Sequence, residues 1–197
     1  MKPQTIIFIG PQGSGKGTQV REVTKHLQEH SGQPVTNIET GKAFRRLAEE
    51  GGFTAQRVKE LLAEGKMVPN FLTKAFVVKF LIRNLTPETH ITMDGFPRNL
   101  VQVKFIDDLM EFYKRSGITV VYLDVAEEVV RERMAARGRN DDTPDLIDER
   151  LRLYRENTLP IVAAYQARDD INFIHVDGTL PIPAVTEYII NNLDSGV

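Results

Sequence analysis

The sequence predicts an α/β domain in which a five-stranded parallel sheet is covered on both faces by helices. Three observations carry this reading. Five short runs rich in β-branched and other apolar residues recur along the chain. Segments with helical spacing separate them, and a glycine-rich turn joins the first run to the first helical segment. The 197 residues suffice for one well-cored domain with small appendages.

Taken in order, Thr5–Ile9 is a continuous apolar run ending at Gly10, the pattern of a strand buried on both faces. From Lys16 to about His30, Val20, Val23 and Leu27 recur at helical spacing until Ser31, Gly32 and Pro34 interrupt. Val35–Ile38 is a short second strand. Residues 40–69 are charged and helical, cut into short pieces by Gly51, Gly52 and Gly65, and a long helix follows over Leu72–Asn84. His90–Met93 is a third strand ending at Asp94–Gly95, and Ile118–Val125 is the clearest strand of all. Glu127–Arg137 is a helix, followed by a polar loop over 138–144. Thr143 and Pro144 have the form of an N-cap and a first-turn proline, opening a helix expected to reach Tyr165 with a kink at Pro160. Ile171–Val176 is the fifth strand, and a last helix covers Ala184–Leu193. Segments 40–69 and 138–144 fit the sheet poorly and are candidate mobile inserts.

Composition narrows the function. Residues are 41% hydrophobic and 26% charged, and the net charge is −2, which argues against a dedicated nucleic-acid binder. With no cysteine there is no disulfide framework and no thiolate zinc site, which fits a reducing cytosol. The five-residue apolar run at the start is too short for a signal core or a membrane span. A soluble cytoplasmic protein, acting on no membrane, is the expectation. The histidines, 26, 30, 90 and 175, are read as surface or strand-end residues without ligand spacing.

Gly10-Pro-Gln-Gly-Ser-Gly-Lys-Gly-Thr18 lies between the first strand and the first helix. A phosphate tail needs backbone N–H groups that approach closely, which glycines permit, and the positive end of a helix dipole. Lys16 adds a point charge for the β- and γ-phosphates. The generic pattern places Ser or Thr directly after the lysine; here Gly17 intervenes and Thr18 follows.

That Gly15-Lys-Gly-Thr-Gln19 form resembles the nucleoside monophosphate kinases, and adenylate kinase in particular. The likeness continues along the chain. Thr40-Gly41 with Arg45 is similar to the start of that family's monophosphate-binding arm, and Gly65-Lys-Met-Val-Pro69 to its end. Asp94-Gly-Phe-Pro-Arg98 with Gln102 is similar to the signature after the third strand. Arg133, Arg137, Arg139, Asp141, Asp142 and Arg150 resemble the lid and its flanks.

The resemblance implies a P-loop kinase fold over 1–197 with a monophosphate-binding insert at 39–68 and a short lid at 137–148. It implies the reversible reaction ATP + AMP ⇌ 2 ADP with Mg²⁺, by a monomer. ATP would be held by Gly13, Ser14, Gly15, Lys16, Gly17, Thr18, Arg133, Arg137 and the backbone at Leu180. AMP would be held by Thr40, Arg45, Lys66, Met67, Val68, Gly95, Phe96, Pro97, Arg98, Gln102, Arg139 and Arg150. Lys16, Arg98, Arg133, Arg139 and Arg150 would be catalytic, and Asp94 would hold Mg²⁺ through its water shell. Asp141 and Asp142 would fix the lid arginines.

This residue set suits the chemistry. Phosphoryl transfer between nucleotides brings two polyanions together, so catalysis rests on positioning and charge stabilisation. Guanidinium forks bind phosphate oxygens bidentately and stay charged. The acceptor phosphate is already ionised, so no general base is needed. Thr40 and Gln102 favour AMP, an amide being able to pair with the adenine edge. Asn99 after Arg98 resembles the uridylate–cytidylate kinases, which remain the alternative, with a nucleotide sensor that binds without turnover as a third reading. Lys42 stands where the family has Asp, and Ala43-Phe44 replaces two aliphatic residues.

Overall fold

The computed structural model describes residues 1–138 and 142–193. Its centre is a five-stranded sheet of β1 (Thr5–Ile9), β2 (Val35–Glu39), β3 (His90–Asp94), β4 (Ile118–Asp124) and β5 (Ile171–Asp177). Every strand pair is parallel, in the spatial order β2-β3-β1-β4-β5. Each of the first four strands is therefore followed by a crossover, and the strand ends that carry Ile9, Glu39 and Asp94 meet at one edge of the sheet.

The two-residue period of a strand sorts β1 between two cores. Ile7 and Ile9 pack on one face with α4 (Asn70–Asn84), α5 (Leu100–Phe112) and α8 (Leu159–Gln166), among Val77, Ile106 and Tyr165. Ile6 and Phe8 pack on the other with α1 (Lys16–Ser31) and α9 (Ile182–Leu193), among Val23, Leu27 and Ile189. Truncating one of these fully buried side chains to alanine costs about 2–5 kcal/mol. A third, smaller cluster of Val125, Val130, Met134, Ile147 and Leu151 joins α6 (Glu127–Arg137) to α7 (Pro144–Leu153). By contrast, α2 (Thr40–Glu49) and α3 (Phe53–Ala63) bury only two residues each, Thr40 and Phe44, Ala55 and Val58. No helix among the described residues is long and apolar enough to cross a membrane.

The expected elements are present, with four differences. Asn99 accepts a hydrogen bond from the Gln102 N–H at 3.0 Å and so caps α5, a helix additional to those expected. Thr143 does occupy the N-cap of α7, but its hydroxyl caps nothing. The irregularity expected at Pro160 lies upstream of it. Proline has no N–H for the carbonyl of Glu156, and the chain widens into a π turn over Tyr154–Thr158, closed by the Leu159 N–H donating to the Tyr154 carbonyl. Finally, His90 opens β3 but is fully buried. Its Nδ1 accepts the Gln4 N–H at 2.9 Å and its Nε2 meets the Ser31 hydroxyl at 3.0 Å, so it ties three segments together.

Candidate active site

At the carboxyl ends of β1 and β3 lies a cleft with a cavity volume of about 390 Å³. Eight lysine and arginine side chains border it, against two carboxylates, Glu39 and Asp94. So large an excess of cations within one cleft is stable only facing solvent or a polyanion.

One end of the cleft is the glycine loop. Gly13 and Gly15 have φ of +94° and +97°, in the region open to glycine, and a Cβ on Gly13 would stand 2.9 Å from Met134. Gly15 is the N-cap of α1, and the first intrahelical bond runs from Gln19 to its carbonyl. Thr18 N–H also donates to the Gly15 carbonyl, at 2.9 Å, so the N–H groups of Lys16 and Gly17 are the first-turn donors left without a helical partner, at the positive end of the helix dipole beside the cleft. Lys16 crosses the loop, donating to the carbonyls of Gly10 at 2.9 Å and Pro11 at 2.7 Å. Burial lowers its pKa from 10.5 to about 8, opposed by the Asp94 carboxylate and assisted by Arg98 and Arg137.

Asp94 ends β3 beside this loop. Its carboxylate would be 3.7 Å from a Cβ on Gly17. One carboxylate next to a phosphate cradle is a fitting donor set for Mg²⁺, which keeps several waters and takes further oxygens from substrate phosphates. No group of three or more acidic or histidine ligands exists among the described residues that would suit an all-protein metal cage.

The opposite end is built from arginines on separate elements. Arg45 projects from α2 and Arg98 from the turn after β3. A Cβ on Gly41 would lie 3.4 Å from Arg45 Nη1 and 4.0 Å from Arg98 Nη2, so both guanidinium groups lie over the same glycine. Gly95, at φ +77°, leaves room for the Thr40 hydroxyl, which donates to its carbonyl at 2.7 Å, and for Arg98 Nε, which donates to the same carbonyl at 2.9 Å. Burial lowers the Arg98 pKa, Asp94 raises it, and Arg150 and Arg45 lower it further. Arg137 gives both Nε and Nη2 to Asp142 at 2.8 Å, and Arg150 Nη1 gives a third bond of 2.8 Å to the same carboxylate. The Asp142 side chain is 1% exposed and aligns two arginines from α6 and α7 toward the cleft. Arg133 donates to the Gly178 carbonyl at 2.9 Å.

The structure thus brings together Gly13, Gly15, Lys16, Gly17, Thr18, Arg45, Met67, Asp94, Gly95, Pro97, Arg98, Arg133, Arg137 and Arg150 around one space. Ser14 is buried beneath the loop and Phe96 in the core. Thr40 is buried as well, through its bond to Gly95. Lys66 pairs with Glu64 at 2.6 Å, and Val68 and Leu180 do not border the cleft. Gln102 is 3% exposed: its Oε1 accepts the Arg98 N–H at 2.6 Å and its Nε2 donates to Asn70 at 2.8 Å. Arg139 and Asp141 lie outside the described residues. Tyr154 and Thr158 border the cleft without having been expected there. The π turn carries both, and the only trace of it in sequence is Pro160. Glu39, Lys42 and Gln12 were likewise not assigned to the site.

Residues 8–170 match the profile of the family described as adenylate kinase. The chain is 35% identical over 175 residues to the adenylate kinase of Corynebacterium diphtheriae, covering 89% of this chain and 92% of that one. It is 34% identical over 175 residues to the adenylate kinase of Mycobacterium tuberculosis, with the same coverage. It is 33% identical over 172 residues to adenylate kinase 1 of Nostoc sp., covering 87% and 90%.

Proposed function

This chain belongs to the adenylate kinase family, and from that premise we propose how its residues divide the work of transferring a phosphoryl group between ATP and AMP. The reaction is reversible, yields two ADP and uses Mg²⁺. The observation that carries the division of labour is the two-ended cleft, with a helix N-terminus and lysine at one end and convergent arginines at the other.

In this reading the ATP polyphosphate lies on the N–H groups of Gly13 to Thr18, with Lys16 turning from its loop carbonyls to the β- and γ-oxygens. Arg133 and Arg137 complete the ATP side, and the backbone at Leu180 meets the adenine. Arg45 and Arg98 fork the AMP phosphate. Arg150 and Arg139 stabilise the charge that spreads over the transferring oxygens. Met67, Gly95 and Pro97 line the AMP side of the cleft, with Lys66 and Val68 flanking Met67 in sequence and Phe96 anchoring the turn in the core. Thr40 holds Gly95 from behind, and Gln102 fixes the loop that carries Arg98. Asp94 would hold Mg²⁺ through water, and the metal would neutralise phosphate charge when bound. Segment 39–68 is the acceptor arm and 137–148 the short lid, whose closure excludes water and suppresses ATP hydrolysis. The near-neutral composition supports the reading that no nucleic acid is a partner, and the lack of cysteine fits a reducing cytoplasm, while the expectation of a monomer without a membrane partner rests on the family resemblance.

A coupled assay with ATP, Mg²⁺ and each of AMP, UMP, CMP and GMP tests this directly. AMP is expected to be the preferred acceptor by at least tenfold in kcat/KM. Faster turnover with UMP or CMP, or no ADP from AMP in folded protein, would overturn the assignment.

A further inference from the structure

A second depression, with a volume of about 840 Å³, lies on the far side of α2 from the loop, between α2 and α4. Its floor is apolar: Phe44 and Leu47 from α2, and Leu72, Ala75, Phe76 and Phe80 from α4. Along α4 these positions follow the three- and four-residue spacing of a single helix face. The face continues through Lys79 and Arg83, and α2 adds Lys42 and Arg46.

The groove has a direction. Phe44 packs on Phe76 with ring centroids 5.9 Å apart, and the Thr36 hydroxyl bonds to the carbonyl of Asn84 at the end of α4. The start of α2 therefore lies toward the end of α4. Lys42, Lys79 and Arg83 gather at that end, whereas Leu47 and Leu72 mark the other. From Leu72 to Arg83 the trough runs about 16 Å at 1.5 Å per residue.

Charge is not balanced within it. Of its two carboxylates, Glu39 pairs with Lys42 at 3.9 Å, leaving Glu50 alone against three cations. Among the described residues no ion pair engages Arg46, Lys79 or Arg83. An apolar trough of ligand-pocket size, with surplus positive charge at one end, is complementary to an amphiphilic anion: charged head, hydrocarbon tail.

We propose that the α2–α4 groove is a binding site for a free alkyl carboxylate. The head lies among Lys79, Arg83 and Lys42, and the tail runs over Phe76 and Phe44 toward Leu72 and Leu47. Glu39 and Lys42 border both this groove and the catalytic cleft. A bound carboxylate draws on the charge of Lys42 and fastens α2 to α4, which weakens acceptor binding. That second step rests on the assignment of α2 to the acceptor arm.

The probe is dodecanoate below its micelle concentration, titrated by calorimetry into the full chain with and without saturating ADP. Saturable one-to-one binding in both cases is expected, with affinity reduced at least tenfold in the double variant K79E/R83E, neither residue of which borders the catalytic cleft. Dodecyltrimethylammonium, which has the same tail and the opposite charge, is expected not to bind. Absence of saturable dodecanoate binding, equal binding of the cation, or unchanged affinity in the double variant would overturn the site. The kinetic arm is separate: dodecanoate should raise KM for AMP at least threefold in the wild type and leave it unchanged in K79E/R83E. Binding without that shift would overturn the coupling alone. AMP turnover without dodecanoate should be the same in both proteins, so a failed acceptor assignment is recognised independently.

Discussion

The two ends of the catalytic cleft hold phosphates by different means. At the loop end, the nine consecutive residues Gly10–Thr18, from the end of β1 into the first turn of α1, supply N–H groups, a helix terminus and one lysine, and strand-to-helix geometry alone brings them together. At the other end the cations come from α2, the turn after β3, α6 and α7, so that only the packing of these separate elements brings them to one place. Their alignment depends on two groups that need not touch phosphate at all. Asp142 orients Arg137 and Arg150, and Gln102 closes the turn that carries Arg98. A contiguous cradle is robust to changes elsewhere in the fold, while a distributed one fails when its internal braces fail.

The largest effect expected from breaking this contrast is at the loop. Lys16→Met removes the only loop cation and should lower kcat by about 10³-fold, or ~3–4 kcal/mol of transition-state stabilisation. Circular dichroism should show the protein still folded. Near-normal turnover would contradict the role given to Lys16.

Removing the brace at the other end should hurt both activity and stability. Asp142→Ala leaves Arg137 and Arg150 without their shared carboxylate, so kcat is expected to fall about ten- to hundredfold through misplacement. The lost charge-assisted bonds cost about 2 kcal/mol, which lowers Tm by about 4–8 °C for a chain of this size. Lys16→Met should move Tm much less. If the two variants changed activity and Tm in the same proportion, the distinction between cradle and brace would not stand.

The smallest effect sharpens the loop side. With a pKa lowered to about 8 by burial, Lys16 loses its charge in the free enzyme as pH rises above that value. Because kcat/KM for ATP reports the free enzyme, it should fall from about pH 8 upward, whereas kcat at saturating ATP, where phosphate holds the proton on, should fall only at higher pH. The stability linkage has the opposite sign. A folded pKa below the unfolded value of 10.5 means that the unfolded chain binds more protons between those limits. Lys16 therefore contributes stability that increases with pH from about 8 to 10.5, and the increment should vanish in Lys16→Met.

Much of this molecule is legible from its residues. Apolar runs such as Thr5–Ile9 can be stable only inside a parallel sheet, and Ile6 and Ile7 do divide between two cores. The glycine loop is readable because its function follows from local geometry. The π turn at Tyr154–Thr158 was not readable as such: Pro160 signals a broken hydrogen bond but does not say on which side the helix gives way. Nor could His90 be read as buried, since its partners Gln4 and Ser31 lie far away in sequence.

The sequence by itself therefore determined the sheet, the phosphate cradle and the chemistry of the cations, because strand burial and helix-terminus geometry are set by adjacent residues. Only the tertiary structure decided which arginines share Asp142, that Gln102 is turned inward against Arg98, and that α2 separates the catalytic cleft from a cationic apolar groove. Those outcomes depend on how side chains turn and on how helices pack against one another, which the order of residues does not settle even where, as for Arg98 and Gln102, the partners are close in sequence.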